Sequence, residues 1–527
     1  MSWDYIVVGA GSAGCATAWN LVRSGGKVLL IEAGGNNSGA TIGLPFNILK
    51  ALDTYDWGYL CEPDPTRQGR SEHWHQGKVL GGTSSVNGMI YVRGSHADYD
   101  LWASQADQSW SSANVMAFFR EMERCDPASI TSPPDQRGYA GQLRVRMVQN
   151  AHRTTRAFID SMVEMGYPFN PDYNAASQEG VGFTQMTQYR GRRFSAYDAF
   201  VRPILGSPNL HVLKDCEVQR INIAEGRATG VTVRRRGATE MIEGGHVILS
   251  AGTINSPKLL MLSGIGDGDA LRQHGIAVKV DRKAVGRGLV DHPIVRIAYD
   301  MRVPTYAFRY NPFQIGGLAL KYLLSGQGLL GSPHEAMAFV RTRPDLVEPD
   351  LQLHFAPIGV NPIGEPPLMK TPSVFTSIKK NRPGSRGAVR LRSANAADAP
   401  IIEANLLEDP ADTNDLVEGI KILRRIMDGS AMRPLVRQEV ASSAHHVSDA
   451  ELEQYVRANA TIACHHVGTC GMGADPDQVT DPSLRVRGVD HLWIADASVM
   501  PFNVSGNTNA SSMMIGFKLG KELGARS

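Results

Sequence analysis

The chain begins with a residue pattern suited to holding the phosphates of a dinucleotide. Gly9, Gly11 and Gly14 follow an apolar run at the spacing Gly-x-Gly-x-x-Gly, and Glu32 ends the next apolar run. In such a site the first glycine permits a tight turn, the second leaves room for a pyrophosphate, and the third lets a helix lie close to the strand. A carboxylate at the position of Glu32 accepts hydrogen bonds from the adenosine ribose. The pattern predicts a nucleotide site, against the alternative of a glycine-rich turn that binds nothing.

A second group of reactive side chains lies near the C-terminus. Cys464, His465, His466 and Cys470 fall within seven residues, and these residue types can bind zinc. A closed zinc site usually has spaced ligand pairs rather than a consecutive Cys-His-His. We therefore expect no metal here.

The apolar pattern around the glycines predicts the elements that position them. Strands over 5–8 and 27–31 enclose a helix with one buried face, which ends at Gly25-Gly26. Further strands are expected over 211–213, 217–223, 228–234 and 246–250, and helices over 112–125, 153–166 and 256–262, the last with Pro257 in its first turn. Residues 43–63 are expected to form an irregular loop, and the small residues of 75–89 to offer a backbone surface to a flat or phosphorylated ligand.

Bulk composition excludes several classes of protein. With 527 residues and a formal net charge of +2, the chain is long enough for two domains and has no long-range attraction for nucleic acid. The first apolar run lacks the basic residues of a signal peptide, and no window has the length of a transmembrane segment. Six cysteines without a Cys-x-x-Cys pair favour a cytoplasmic location, with peripheral membrane association left open.

Several ordered motifs together resemble the glucose-methanol-choline (GMC) oxidoreductases, most closely the choline dehydrogenase-like branch. The resemblance runs from end to end of the chain. Besides the N-terminal glycines, it rests on residues 77–93, 252–257, 262–266, 285–292, 489–501 and 505–509 and on the tail from His465.

The resemblance implies an α/β fold (α+β overall), in which a Rossmann-like FAD-binding domain is interleaved with a substrate domain built on an antiparallel sheet. The FAD-binding domain would be discontinuous, over 1–155, 200–295 and 456–527, and the substrate-binding domain would comprise 156–199 and 296–455. The implied FAD contacts are Gly9, Gly11, Ser12, Ala13, Gly14, Glu32, Ala33, Gly82, Thr83, Asn87, Gly88, Met89, Val218, Ala251, Gly252, Asp496, Ala497, Asn507 and Thr508.

The same resemblance implies FAD-dependent oxidation of an alcohol, with His465 as the base and Asn507 as its partner. A neutral imidazole is well tuned to take the hydroxyl proton near pH 7, and an amide holds the alcohol oxygen without competing for that proton. The hydride would then pass to flavin N5, giving an aldehyde from a primary alcohol. His466 is the competing base, but the motif spacing favours His465 and neighbouring side chains rarely enter one cavity.

Three other positions are given different expectations. Some members of the family attach FAD covalently through a histidine, and the equivalent position here is Val86, so we expect non-covalent FAD. His292 matches a position that looks architectural. Glu335 would either face a cationic substrate or be a structural acid.

Alternative functions differ in substrate and cofactor. Tyr306, Phe308, Tyr310 and Phe313 would suit an aromatic or heteroaromatic alcohol, as in an oxidase for pyridoxine-type, furfuryl-type or benzyl-type alcohols that uses O2, although alternation over 306–310 is more typical of a strand face. The electron acceptor would be O2 or a quinone. The N-terminal glycines alone would also permit an NAD-dependent dehydrogenase or a non-catalytic nucleotide-binding protein.

Overall fold

A computed structural model describes residues 3–306, 312–326, 328–332, 334–360 and 369–526. Phe308, Tyr310 and the side chain of Phe313 lie outside the described residues, as does the proposed alternation over 306–310 beyond Tyr306.

Within these ranges the secondary structure is as follows. The strands are β1 (Trp3–Val8), β2 (Val28–Ile31), β3 (Glu123–Cys125), β4 (Leu143–Met147), β5 (Gly180–Phe183), β6 (Gln185–Met186), β7 (Gln188–Tyr189), β8 (Arg192–Arg193), β9 (Leu210–Leu213), β10 (Cys216–Ala224), β11 (Arg227–Arg235), β12 (Ala238–Leu249), β13 (Ile265–Gly266), β14 (Val280–Asp281), β15 (Arg287–Leu289), β16 (Pro293–Met301), β17 (Ala336–Val340), β18 (Leu351–Ala356), β19 (Ser373–Lys380), β20 (Gly387–Arg390), β21 (Ile401–Glu403), β22 (Val436–Glu439), β23 (Thr461–Ile462) and β24 (Leu492–Ile494). The α-helices are α1 (Ser12–Arg23), α2 (Ala40–Gly43), α3 (Ile48–Tyr55), α4 (His96–Gln105), α5 (Ser112–Met122), α6 (Arg153–Glu164), α7 (Gly252–Leu262), α8 (Gly268–Gln273), α9 (Pro312–Ser325), α10 (Pro410–Met427), α11 (Ala441–Ala444), α12 (Asp449–Asn459) and α13 (Asn509–Gly524).

The first large sheet contains the predicted nucleotide-binding strands. Its order is β10-β11-β12-β1-β2-β9, and β24 also pairs with β12. β12, β1, β2, β9 and β24 run parallel, whereas β10 and β11 join antiparallel. Ile6, Val7 and all of β2 are buried, as expected for parallel strands covered on both faces. The predicted strand, glycine turn, helix and strand are confirmed.

The second large sheet is antiparallel, with the order β22-β16-β19-β18-β17-β5, and β23 also pairs with β16. Side chains alternate between its two faces. One face, including Val295, Leu353 and Ile378, packs with α6 and α10 in a hydrophobic core. The opposite face is more polar and borders the cavity described below. The mixed α/β class with an antiparallel second sheet is thereby confirmed, and the domain boundaries stay a prediction.

Glycines bring the C-terminal helix against the N-terminal one. A Cβ at Gly516 would lie 2.2 Å from the carbonyl oxygen of Ala13, and one at Gly520 would lie 2.6 Å from that of Thr17. The Thr17 hydroxyl also donates to the carbonyl of Gly516 at 3.0 Å. This close packing of α13 on α1 carries the tail of the chain back to the N-terminal glycine turn.

Three elements differ from the sequence-based expectation. α7 begins at Gly252, so Pro257 lies inside it rather than in its first turn. Because Pro257 has no N–H to donate to the carbonyl of Thr253, that carbonyl accepts from the Thr469 hydroxyl at 2.6 Å instead. α5 ends at Met122 because 123–125 pair with β4. α3 occupies part of the expected loop over 43–63.

Candidate active site

A cavity of about 820 Å³ lies where the two large sheets face each other, lined by residues from both. Nearly all the predicted site residues border it. They are Gly9, Gly11, Ser12, Ala13, Glu32, Ala33, Gly82, Thr83, Asn87, Gly88, Met89, Val218, Ala251, Gly252, His465, Asp496, Ala497, Asn507 and Thr508.

Gly14 is the predicted contact that does not border the cavity. A Cβ there would lie 1.9 Å from the carbonyl oxygen of Gly9. Gly14 is therefore required for the close approach of α1 to the turn after β1, which is the packing role of the third glycine in the pattern.

The middle of the cavity is suited to a pyrophosphate. α1 and α13 both begin there, and the Ser12 hydroxyl donates to Asn509 Oδ1 at 2.7 Å, which joins the two helix starts. Gly82 approaches so closely that its Cβ would lie 2.7 Å from Gly11 Cα. Free N–H groups and positive dipole ends at helix starts attract phosphate. The Thr508 side chain makes no capping bond to the start of α13 within the described residues.

One end of the cavity fits an adenosine group. Glu32 is buried, and its two carboxylate oxygens accept from the N–H groups of Ala10 and Gly34, each at 2.9 Å. Burial raises the pKa of Glu32 to about 7. Ala33 and Val218 border the same cavity.

Asp496, at the cavity wall, connects the first turns of α7 with the turn that follows β24. Its carboxylate accepts from the N–H of Gly252 at 2.9 Å, from the Ser256 hydroxyl at 2.5 Å and from the N–H of Ser498 at 2.8 Å. Burial raises the pKa of Asp496. The tight glycine contacts, the two helix starts and the buried acids together fit an extended dinucleotide such as FAD.

His465 and Asn507 meet at the other end of the cavity. Nδ2 of Asn507 lies 2.9 Å from Nε2 of His465, and Gln352 Nε2 donates to Asn507 Oδ1 at 3.4 Å. Asp291 holds the histidine backbone, since its carboxylate accepts from the N–H groups of Ala463 at 3.0 Å and His465 at 2.9 Å. The predicted pair is thus in direct contact.

A chain of contacts assigns the protons of His465. Nε2 of His292 lies 2.8 Å from the carbonyl oxygen of Asn381, which can only accept, so this nitrogen carries the hydrogen. Nδ1 of a neutral His292 is then an acceptor, and it lies 3.1 Å from Nδ1 of His465. His465 therefore donates from Nδ1 and keeps the lone pair on Nε2, facing Asn507.

His465 and His292 both favour the neutral form. Burial, followed by the positive charge of Lys379, lowers the pKa of His465 and that of His292 well below the usual range. His466 also borders the cavity, although neighbouring side chains were not expected to enter the same cavity. Its ring instead lies 5.5 Å from Trp74, and its Nδ1 lies 3.5 Å from Asp291 Oδ2; the contact with Asn507 belongs to His465 alone among the described histidines.

Sequence reasoning missed the polar sheet face at this end. Arg296, His354, Phe375, Ser377 and Lys379 all border the cavity. They come from β16, β18 and β19, where Arg296 pairs with Ser377 and Ser377 with His354. The available signal was the alternation of polar and apolar residues in these strands, but only the sheet pairing shows that they share one face.

Glu335 and Tyr306 do not border the cavity. The Glu335 carboxylate accepts from the Thr155 hydroxyl at 2.7 Å, from the N–H of His152 at 2.7 Å and from the Tyr306 hydroxyl at 3.1 Å. Glu335 is thus a buried structural acid, the second of the two expectations. Tyr306 belongs to the same cluster.

Two negative findings concern the described part of the chain. It contains no cluster of histidine, cysteine and acidic side chains arranged to hold a metal. In the same ranges, no helix is both long and apolar enough to cross a bilayer.

Comparisons with known proteins agree with this geometry. Two family models described as GMC oxidoreductase match residues 3–294 and 383–516. The chain belongs to the GMC oxidoreductase family. An oxygen-dependent choline dehydrogenase of Rhizobium meliloti (strain 1021) is 36% identical, with 100% of this chain and 97% of the relative aligned. An alcohol dehydrogenase [acceptor] of Pseudomonas putida is also 36% identical, over 97% of this chain and 94% of the relative.

Solved structures of GMC oxidoreductases share the fold over the whole length. The crystal structure of pyridoxine 4-oxidase from Mesorbium loti superimposes with a TM-score of 0.90 at 26% identity and covers 99% of both chains. The 527-residue protein, as a member of this family, is therefore an FAD-dependent enzyme that oxidises alcohols. The choice between FAD and NAD is thereby resolved in favour of FAD.

Proposed function

We propose that this GMC oxidoreductase converts a primary alcohol to an aldehyde, with His465 as the catalytic base and Asn507 as the group that holds the alcohol oxygen. The observation that carries the proposal is the 2.9 Å contact between Nε2 of His465 and Nδ2 of Asn507. The lone pair and an amide donor occupy adjacent positions in the cavity wall, as a bound hydroxyl requires.

His465 can act as a base because its proton is on Nδ1 and its lone pair is on Nε2 before the alcohol binds. Nε2 of His465 takes the hydroxyl proton, while Nδ1 keeps its hydrogen bond to His292. A lowered pKa keeps the imidazole neutral before the alcohol binds and favours release of the proton afterwards.

Asn507 acts on the oxygen rather than on the proton. When the hydroxyl replaces the amide at Nε2, the amide N–H donates to the alcohol oxygen and stabilises the negative charge that develops there. Gln352, bonded to Asn507 Oδ1, orients the amide so that Nδ2 faces the histidine.

FAD, when bound, supplies the acceptor for the hydride that leaves the alcohol carbon. We propose that it is held without a covalent bond, through the glycine turns, Glu32, Asp496 and the starts of α1 and α13. Val86, which borders the cavity at the position used for covalent attachment in some relatives, has no atom that could form that bond. Flavin that stays on the polypeptide after denaturation would contradict this part.

The test is anaerobic reduction of the purified holoenzyme by a panel of alcohols, followed at the flavin absorbance. We expect bleaching by at least one primary alcohol, and a loss of about 10²–10⁴-fold in the reduction rate for His465→Gln with the flavin still bound. His466→Gln is the matched control and should reduce the rate far less. Equal rates for wild type and His465→Gln would refute the role of His465.

We propose a cytoplasmic location, supported by six free cysteines of which five are buried, with O2 or a quinone as the electron acceptor. Steady-state turnover with O2 alone, compared with turnover on a soluble quinone, distinguishes an oxidase from a dehydrogenase.

A further inference from the structure

The sheet face at the catalytic end of the cavity carries a buried ammonium group that has no partner in the described part of the chain. Lys379 on β19 is 1% exposed, and its Nζ has no hydrogen-bond partner among the described residues. Its neighbour Lys380 points to the other face and pairs with Asp415 and, at 3.8 Å, with Asp350. Two adjacent buried lysines thus differ: one is matched by carboxylates, and the other faces the cavity alone.

An unpaired buried charge is costly, because it has lost water and gained nothing in return. Accordingly, burial lowers the pKa of Lys379 to about 7, opposed only by the charge of Asp291. Two other polar atoms that border the cavity are also unpartnered within the described residues, namely His334 Nδ1 and His354 Nε2. This end is therefore built to receive polar ligand atoms.

The charged side chains that border the cavity at this end are basic, whereas the nearby Asp291 does not border the cavity and accepts from the backbone N–H groups of Ala463 and His465. Arg296 borders the cavity beside Lys379 and donates to the Thr461 hydroxyl at 3.1 Å. The acids that border the described cavity, Glu32, Glu217 and Asp496, belong to strands of the first sheet or to the turns that follow them, whereas Lys379 and Arg296 belong to the second sheet. Glu335 was the acid considered for a cationic substrate, but its carboxylate accepts hydrogen bonds from the Thr155 and Tyr306 hydroxyls.

We propose that the alcohol substrate carries a carboxylate, which pairs with Lys379 while the hydroxyl meets His465 and Asn507. This inference rests on the proposed function and names its substrate class: a hydroxy acid rather than a cationic alcohol of the choline type. Because the Arg296 guanidinium is bonded to Thr461, Lys379 offers one ammonium among uncharged imidazoles, which matches a monoanion better than a phosphate dianion. Lys379 pairs with Gln352 in the sheet, and the Gln352 side chain donates to Asn507, so the ammonium lies in the same part of the cavity as the His465–Asn507 pair.

The test compares alcohols that differ only in the charged group. Anaerobic flavin reduction is measured with 4-hydroxybutanoate, butan-1-ol and choline, and with 4-(hydroxymethyl)benzoate against benzyl alcohol. We expect an apparent Kd at least tenfold lower for the acid of at least one matched pair than for its neutral partner. Lys379→Met should abolish that preference without weakening the neutral alcohol, and Lys379→Arg should retain part of it. Lys370→Met, at an exposed lysine of the same chain, is the control and should keep the preference.

A binding measurement separates substrate recognition from turnover. Butanoate and benzoate cannot be oxidised at a hydroxyl, and we expect at least one of them to perturb the spectrum of the bound flavin in the wild type but not in Lys379→Met. Stronger reduction by choline or the neutral alcohols than by both acids would overturn the hydroxy-acid proposal while leaving the proposed function intact. Unchanged reduction of Lys379→Met by an acid, with slower reoxidation by O2, would overturn it as well and assign the ammonium to the oxygen reaction. If no alcohol in either set reduces the flavin, the proposed function fails and this inference fails with it.

Discussion

Nδ1 of His465 lies 3.1 Å from Nδ1 of His292, and this contact places the reactive lone pair of His465 on Nε2. The reason is the next contact of His292, with the backbone carbonyl of Asn381. This oxygen can only accept, so His292 must donate from Nε2 and accept at Nδ1. A backbone carbonyl thus sets the tautomer of the base through a second imidazole. His292, which looked architectural in the sequence, acts as a positioning residue for the proposed reaction.

Replacing His292 should slow the chemical step more than substrate binding. In His292→Ala, Nδ1 of His465 loses its acceptor and the ring is free to adopt the other tautomer; we expect the limiting rate of flavin reduction to fall by about 10–100-fold. His292→Asn offers an amide oxygen near the former Nδ1 and an N–H for Asn381, so it should recover much of the rate. A purely structural role would instead give similar losses for both variants, together with weaker flavin binding.

Two substitutions at Asn507 should differ in their pH dependence. Asn507→Ala removes a donor to the alcohol oxygen and should lower kcat/KM by about 10²–10³-fold at every pH. Asn507→Asp places a carboxylate beside His465, which favours the protonated imidazole and raises its pKa. Its loss at pH 7 should therefore be partly recovered as the pH rises. Parallel pH profiles for the two variants would contradict this account.

The acid side of the pH profile should report the charge of Lys379. The pKa of His465 is lowered, so the imidazole stays unprotonated to a lower pH than an ordinary histidine, and kcat/KM for a neutral alcohol should fall only below about pH 6.5. Lys379→Met removes one cause of that lowering, because the nearby positive charge disfavours a second one. The acid limb should then move to higher pH. A neutral alcohol is used so that the loss of carboxylate binding does not confuse the result, and an unmoved limb would show that Lys379 does not contribute to this pKa.

A single methyl group at Gly516 should destabilise the protein and weaken its hold on FAD. The added Cβ would meet the backbone carbonyl of Ala13 at 2.2 Å, so α13 must move away from α1, and the helix starts at the pyrophosphate site would separate. We expect Gly516→Ala to lower the free energy of unfolding by about 1–3 kcal/mol and to release flavin at lower urea concentration.

Gly316→Ala is the matched control, since the same methyl group in α9 would meet no described atom within 4 Å. It should leave stability unchanged or raise it slightly, because alanine favours the helix. If both variants behave alike, the contact between α1 and α13 does not limit stability.

The local pattern was sufficient for the nucleotide half of the site. Gly9 predicts a tight turn, Gly11 a site where a phosphate can approach the backbone, and Glu32 an acid that binds the ribose. Each of these functions requires one residue type at a set distance along the chain. Errors occurred where a distant contact outweighs local preference. α7 continues through Pro257 because Thr469, more than two hundred residues away, satisfies the freed carbonyl.

The sequence by itself determined the family, the cofactor class and the identities of the proposed base and its partner, because motifs of fixed residue type and spacing carry that information. Only the tertiary structure decided the tautomer of His465 and the charge of the substrate end. Those depend on Asn381, His292 and Lys379, which come together through sheet pairing and burial. A lysine read in the sequence is one of many solvated charges, and it becomes informative only when the fold buries it in a cavity without a partner.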